Sequence, residues 1–322
     1  MCDFYEKAFH NIKEIKPNVK DATINTYLQG IKKISKELFD SEKPSIQYFK
    51  GYEDVKKYVL EMKSLASQKN MVTCILVLVK AFRKEMGDAL IETYADLHKE
   101  LSKKQEESYL DNNKTEREEK NWTTREEITN KIKSLQTEID NWDTKKSKRK
   151  LADKIQQHLV LSLYTLLPPL RNDYALVKII KDPEFETDEE QIDKSCNYIN
   201  LATSKLLLCK YKTDKVYGIK KIEIPESLLE VIVNWEKVKK DIFEIPHDFM
   251  IINTTNLKNM TPNSLTKYIN KIFSPKKIST TLLRKIYLSE KYPVVNTYRD
   301  QLNDAYIMCH GISMQKMVYS KK

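Results

Sequence analysis

The chain has 322 residues, 40% hydrophobic and 32% charged, with five glycines, a formal charge of +10 and a pI near 9.0. That length accommodates two domains, each with its own core, and so few glycines among so many charges favour helices over tightly turned sheet. Five scattered cysteines without a CxxC pair exclude a disulfide framework or a structural zinc site, and no apolar run approaches the ~18–20 residues of a membrane span.

The first hundred residues read as a small helical domain. Capping residues at Asp21 open a helix on which Ile24, Tyr27, Leu28, Ile31, Ile34 and Leu38 recur at helical spacing. Residues 52–62 form a second expected helix, and residues 71–82, apolar at Ile75, Leu76, Leu78, Val79 and Phe82, a third. Lys32, Lys33 and Lys36 fall off the apolar stripe, while Lys80, Arg83 and Lys84 close the third helix. With a net charge of +10 they are candidate contacts to a polyanion, nucleic acid first, against the plainer reading of a solvated face. Residues 97–120 carry charge of both signs and almost no core, which marks a linker or a surface helix. The expected domains are therefore 1–105, a linker at 106–120, and 121–322.

The second domain opens on Trp122-Thr123-Thr124-Arg125-Glu126-Glu127, where Thr followed three residues later by Glu signals a capping box. A charged helix to Lys150 and an apolar one over 155–167 follow, the latter stopped by Pro168-Pro169. Residues 205–211 and 216–224 alternate as strands around the turn Lys212-Thr213-Asp214-Lys215. Residues 228–235, 261–273 and 279–292 return to helix. The expected fold is mainly α with a small antiparallel β-sheet.

Along this half, Arg171, Lys212, Arg284, His310 and Tyr319 occur in that order. Together they hold what cutting a phosphodiester demands. Two guanidiniums clamp the non-bridging oxygens by planar paired hydrogen bonds, and a histidine N–H adds a donor. A lysine on a hairpin gives the departing 5′-oxygen its proton, and the phenol attacks to form a covalent 3′-phosphotyrosine. A phenol with a pKa near ~10 costs about 4 kcal/mol to ionise at pH 7, which nearby arginines partly offset. No carboxylate or His/Cys cluster at metal spacing stands out beyond the acidic run Asp188-Glu189-Glu190. Singly, each residue has a bland reading: a helix-end cation, a solvated turn lysine, a surface pair with Lys285, a core histidine, a packing aromatic.

These residues carry a resemblance to the tyrosine recombinases, the phage-integrase family. The string Leu166-Leu167-Pro168-Pro169-Leu170-Arg171-Asn172-Asp173-Tyr174 resembles the family's first box, in a form like that of integrases of large DNA viruses and mobile elements. The hairpin lysine falls on Lys212, with Lys210 and Lys215 as alternatives if the turn shifts. The second box, His-x-x-Arg, falls on Thr281-Leu282-Leu283-Arg284. Gly-His followed nine residues later by Tyr falls on Cys309-His310 and Tyr319.

The resemblance implies an N-terminal helical core-binding domain that clamps duplex DNA and a C-terminal catalytic domain. It also implies catalysis without cofactor or metal, and assembly as a homo-oligomer, a tetramer on DNA. Lys285, beside Arg284, joins the candidate DNA contacts. Expected roles are Tyr319 as nucleophile, Lys212 as general acid, and Arg171, Arg284 and His310 as holders of the phosphate. The expected location is intracellular, in a host nucleus or virus-associated. Three differences from the family stand out: Thr281 replaces a histidine, Tyr174 stands where many relatives have a carboxylate although Asp173 is adjacent, and only residues 320–322 follow Tyr319. A type IB DNA topoisomerase and a DNA-binding relative that has lost catalysis are the alternatives.

Overall fold

The computed structural model describes residues 4–41, 44–110, 113–143, 145–243, 248–292 and 298–319. The chain divides into two compact units, Met1–Asp111 and Asn112–Lys322. Cys2 and residues 320–322 lie outside the described residues.

The first unit is all helical: α1 (Phe4–Ile15), α2 (Asp21–Phe39), a 3-10 turn (Ile46–Lys50), α3 (Tyr52–Leu60), α4 (Leu65–Ala81), α5 (Arg83–Met86) and α6 (Asp88–Leu110). Its centre is α4, which buries Met71, Val72, Cys74, Ile75, Val77, Leu78 and Val79 on several faces, as a helix surrounded by others must. Gly30 of α2 lets these helices approach, because a Cβ there would lie 2.7 Å from Cys74 Sγ. The α2 stripe is the expected one, with Ile24, Leu28, Ile31 and Ile34 buried. Its cap differs: Lys20 occupies the N-cap position and makes no side-chain cap bond.

Two elements are longer than the periodicity suggests. Ser64 caps α4 by accepting from Ser67 N, so that helix begins six residues before Met71. The charged stretch after residue 97 is no open linker at its start, since α6 runs unbroken to Leu110 and buries Tyr94, Leu97 and Leu101. A handful of apolar residues at helical spacing suffices to dock a helix whose other faces are charged.

The second unit begins with α7 (Glu116–Asn121) and α8 (Arg125–Asp140), each opened by a complete capping box, Thr115 with Glu118 and Thr124 with Glu127. The buried helix α9 (Lys148–Thr165) follows, then a 3-10 turn (Asp173–Leu176) and strands β1 (Val177–Ile180), β2 (Asn197–Asn200) and β3 (Lys205–Leu208). A short α10 (Asp214–Tyr217) leads to β4 (Lys220–Glu223). Then come α11 (Glu226–Phe243), α12 (Pro262–Ile272), α13 (Thr280–Lys291), α14 (Tyr298–Ile307), α15 (Ile312–Met314) and a π-helical turn (Gln315–Tyr319).

The sheet has order β1-β2-β3-β4. Strands β3 and β4 pair antiparallel, as expected; β2 adds antiparallel to β3, and β1 joins parallel to β2, which makes the sheet mixed. The hairpin is also more open than an alternating 216–224 strand implies. Residues 214–217 wind into α10, Val216 is 75% exposed, and pairing starts only at Lys220, after Gly218 at φ 64°. One core beneath α9, α11, α12 and α13 holds Leu159, Leu163, Tyr174, Trp235, Ile269 and Ile286. Inside it Gln156 exchanges two 2.9 Å hydrogen bonds with the Ile252 backbone, satisfying a buried amide. No helix of the described residues is long and apolar enough to cross a membrane.

Candidate active site

Four of the five expected residues meet in the second unit. Prolines end α9 and turn the chain so that Leu167 and Leu170 anchor in the core while Arg171 is left half-buried. The Tyr164 hydroxyl donates to the Arg171 carbonyl at 2.8 Å, and the Tyr164 ring lies edge-on to Tyr174 at 5.3 Å. Asn172 Oδ1 accepts from Thr266 and Thr280 at 3.2 and 3.1 Å, which ties the box to α12 and α13. So fixed, Arg171 Nη2 donates to the Tyr319 hydroxyl at 3.3 Å.

Arg284 arrives from α13, within a run of buried residues from Leu282 to Leu288 interrupted only by Lys285. It is wholly buried. Nη1 donates to the Pro169 carbonyl and Nη2 to the Met308 carbonyl, both at 3.1 Å, and the guanidinium lies 4.7 Å from the Tyr319 ring centre. Its Nε has no hydrogen-bond partner among the described residues. Burial, chiefly, pushes its pKa down to about 10, still leaving it charged at neutral pH.

The carboxylate next to Tyr174 in the chain is that of Asp173. Burial raises its pKa, and the charges of Arg171 and Arg284 oppose that rise. Even so, among the described residues neither arginine has a carboxylate within 4.0 Å. The pair therefore keeps unneutralised positive charge in a largely buried place, which is what an anion site requires.

His310 is set by the end of α14. Cys309 takes a left-handed φ of 56°, its N–H returns to the Tyr306 carbonyl at 3.2 Å, and the His310 N–H reaches the Ala305 carbonyl at 3.0 Å. This Schellman closure explains why the resemblance has glycine where Cys309 stands. The buried ring lies 5.0 Å from that of Tyr319. Its Nδ1 faces the Gly311 carbonyl at 3.1 Å, which assigns the proton to Nδ1 and leaves the unpartnered Nε2 as a lone pair.

Burial, then the charges of Arg284, Arg171 and Lys220, lower the His310 pKa to about 4, so the ring is neutral at pH 7. The folded state thus binds this proton less readily than the unfolded chain, whose ordinary value is 6.5. Stability from this residue is complete above that value and is lost as pH falls towards about 4.

Tyr319 is 7% exposed and packs on Tyr287, Leu288 and Met308 of its own unit. Lys212 is exposed in the β3–β4 connection and is not brought against these four. Its neighbour Thr213, however, donates to the Cys309 carbonyl at 3.3 Å. Asn197, fully buried on β2, bonds the Asp173 carbonyl and the backbone of Cys209 and Lys210, so it joins the Arg171 segment to the start of that hairpin. Lys210 pairs with Asp214 at 3.6 Å and Lys215 is exposed. Thr281 is exposed too, on a hollow lined by Arg117, Asn121 and Lys277.

Of the expected DNA contacts, Lys32, Lys33, Lys36, Lys80, Arg83 and Lys84 are exposed, with Lys33 4.0 Å from Glu37 and Arg83 2.6 Å from Asp88. Lys285 is half-buried and paired with Glu118. Sequence reasoning missed Thr213, Asn197 and above all Lys220. The signal for Lys220 was its place on the inward face of β4 with Ile222, a position that alternation reserves for apolar residues.

No protein-family model matches the chain, and no curated protein is similar to it. Among solved structures it is similar to one described as "Crystal structure of XerA recombinase", at 11% identity over 98% of this chain and 94% of that one, with a TM-score of 0.40. A likeness so distant adds no argument to the geometry above.

Proposed function

We propose that the chain is a tyrosine-type site-specific DNA recombinase that cuts and rejoins duplex DNA through a covalent 3′-phosphotyrosine. The observation that carries this is the contact of one phenol, Tyr319, with Arg171, Arg284 and His310 at once. Guanidiniums without carboxylate partners hold a phosphodiester's oxygens. The Tyr319 oxygen forms a bond to phosphorus as the bond to the 5′-oxygen breaks. In place of the N–H donor expected from the sequence, His310 offers an acceptor at Nε2, which takes the phenolic proton. Lys212, carried on the exposed hairpin, gives a proton to the leaving oxygen. Reversal rejoins the strand. The exposed lysines of α2 and the end of α4 suit contacts with duplex phosphates.

In this reading the protein integrates or excises a viral or mobile element as a homo-oligomer on DNA, inside a host cell. Nicked duplexes drawn from the DNA flanking its gene should trap a covalent adduct with the native chain and none with Tyr319→Phe. An equal adduct from the variant contradicts the assignment. The monomeric alternative, a type IB topoisomerase, would use the same phenol and arginines. Site-independent relaxation of supercoiled plasmid without recombinant products would support that reading.

A bound phosphodiester also changes His310. Its negative charge opposes the cations that depress the ring's pKa, so the value should rise from about 4 by about one unit or more. Histidine-selective NMR titration of Tyr319→Phe, with and without duplex, measures this; an unmoved midpoint counts against phosphate binding beside the ring.

A further inference from the structure

Lys220, at the start of β4, is only 1% exposed and has no carboxylate within 4.0 Å among the described residues. Its ammonium instead meets the Tyr306 carbonyl and the faces of three tyrosines, Tyr306 at 3.9 Å, Tyr217 at 4.9 Å and Tyr211 at 5.9 Å. A cation costs free energy in such a place, and an apolar residue would complete the strand's inward face. Burial accordingly lowers its pKa.

Its location explains its presence. The Tyr306 carbonyl lies in the last turn of α14, where a helix presents unsatisfied oxygens and the negative end of its dipole. That same carbonyl accepts the Cys309 N–H of the turn that sets His310. Three side-chain donors from three places hold this turn: Lys220 on the Tyr306 carbonyl, Arg284 on Met308 and Thr213 on Cys309. Two of the three, Lys220 and Thr213, come from the hairpin that carries Lys212.

We propose that Lys220 is a positioning residue: from its tyrosine cage it fixes the α14 turn, and through it His310, against the hairpin bearing Lys212. This rests on reading the site as the DNA-cleaving centre. The residue touches neither the phosphate nor the phenol; it keeps the proton acceptor and the proton donor in one frame. A displacement of the order of an ångström is enough to cost ~10²-fold in rate.

The test uses the full chain, nicked duplex and single-turnover adduct formation. Lys220→Met should slow the adduct step by about 10- to 100-fold while duplex affinity stays within about twofold. Lys220→Arg, which keeps the charge and a donor in the cage, should recover most of the rate. Thr213→Val should slow the same step without loss of affinity, and stands in if Lys220→Met does not fold. The His310 imidazole signal, assigned among five histidines, should shift in both variants without DNA.

A native rate in Lys220→Met overturns the proposal. So does equal loss of rate and affinity, which would make Lys220 a DNA contact. Arginine as inactive as methionine would make Lys220 itself the proton donor. An unmoved His310 signal also overturns it. If the native chain forms no adduct, the recombinase reading fails, and the His310 signal still decides whether Lys220 holds the turn.

Discussion

Arg284→Met should leave the protein as stable as before, within a few degrees of Tm, and slow DNA cleavage by about 10³-fold. The two halves of this prediction come from one side chain. A fall of the guanidinium pKa from its usual value to about 10 corresponds to a net cost of about 3 kcal/mol, with burial its largest cause and the neighbouring charge of Arg171 adding to it. Methionine, of similar length and uncharged, removes that cost. It also leaves the Pro169 and Met308 carbonyls without their donor, at about 1–3 kcal/mol for an unsatisfied buried group. The opposing effects are of similar size and largely cancel. In the proposed reaction nothing cancels the loss at the phosphate, where a donor to the developing charge disappears. Thermal denaturation beside single-turnover cleavage measures both. A variant that unfolds easily yet cleaves normally would make Arg284 a structural residue.

Lys212→Ala should slow cleavage of ordinary DNA by about 10²–10⁴-fold, the span expected when a general acid is removed, with unchanged stability because the side chain is exposed. Replacing the bridging 5′-oxygen by sulfur then separates proton donation from binding. A thiolate, with a pKa near ~8.5, leaves without protonation, so the variant should cleave the sulfur-bridged duplex nearly as fast as the native chain. The Arg284→Met defect should persist on that substrate. Failure of sulfur to rescue Lys212→Ala would remove Lys212 as the acid and direct attention to Lys210 or Lys215 on the same loop.

Helical periodicity revealed the α2 stripe, and the Thr124–Glu127 capping box marked the start of α8, because both signals are local. Strands β1 and β2 escaped notice for a physical reason. Each has four residues, and β2 buries two asparagines whose bonding partners lie far along the chain. Around α6 the charged faces dilute the signal of Tyr94, Leu97 and Leu101, which left a linker and a surface helix as alternatives for the stretch after residue 97. Within the site, residue order in the sequence anticipated that Arg171, Arg284, His310 and Tyr319 gather. It could not show that Arg284 is wholly buried or that Cys309 needs a left-handed backbone, since both are consequences of tertiary packing. Lys220 was visible only as an alternation anomaly, and its meaning depends on three tyrosines from separate elements.

The most direct measurement is to digest a trapped protein–DNA adduct and identify the linked residue and strand end by mass spectrometry. A single peptide joined through Tyr319 to a 3′-phosphate, with a free 5′-hydroxyl on the departing strand, is the expected result. Linkage through another residue, or to a 5′-phosphate, would contradict the account.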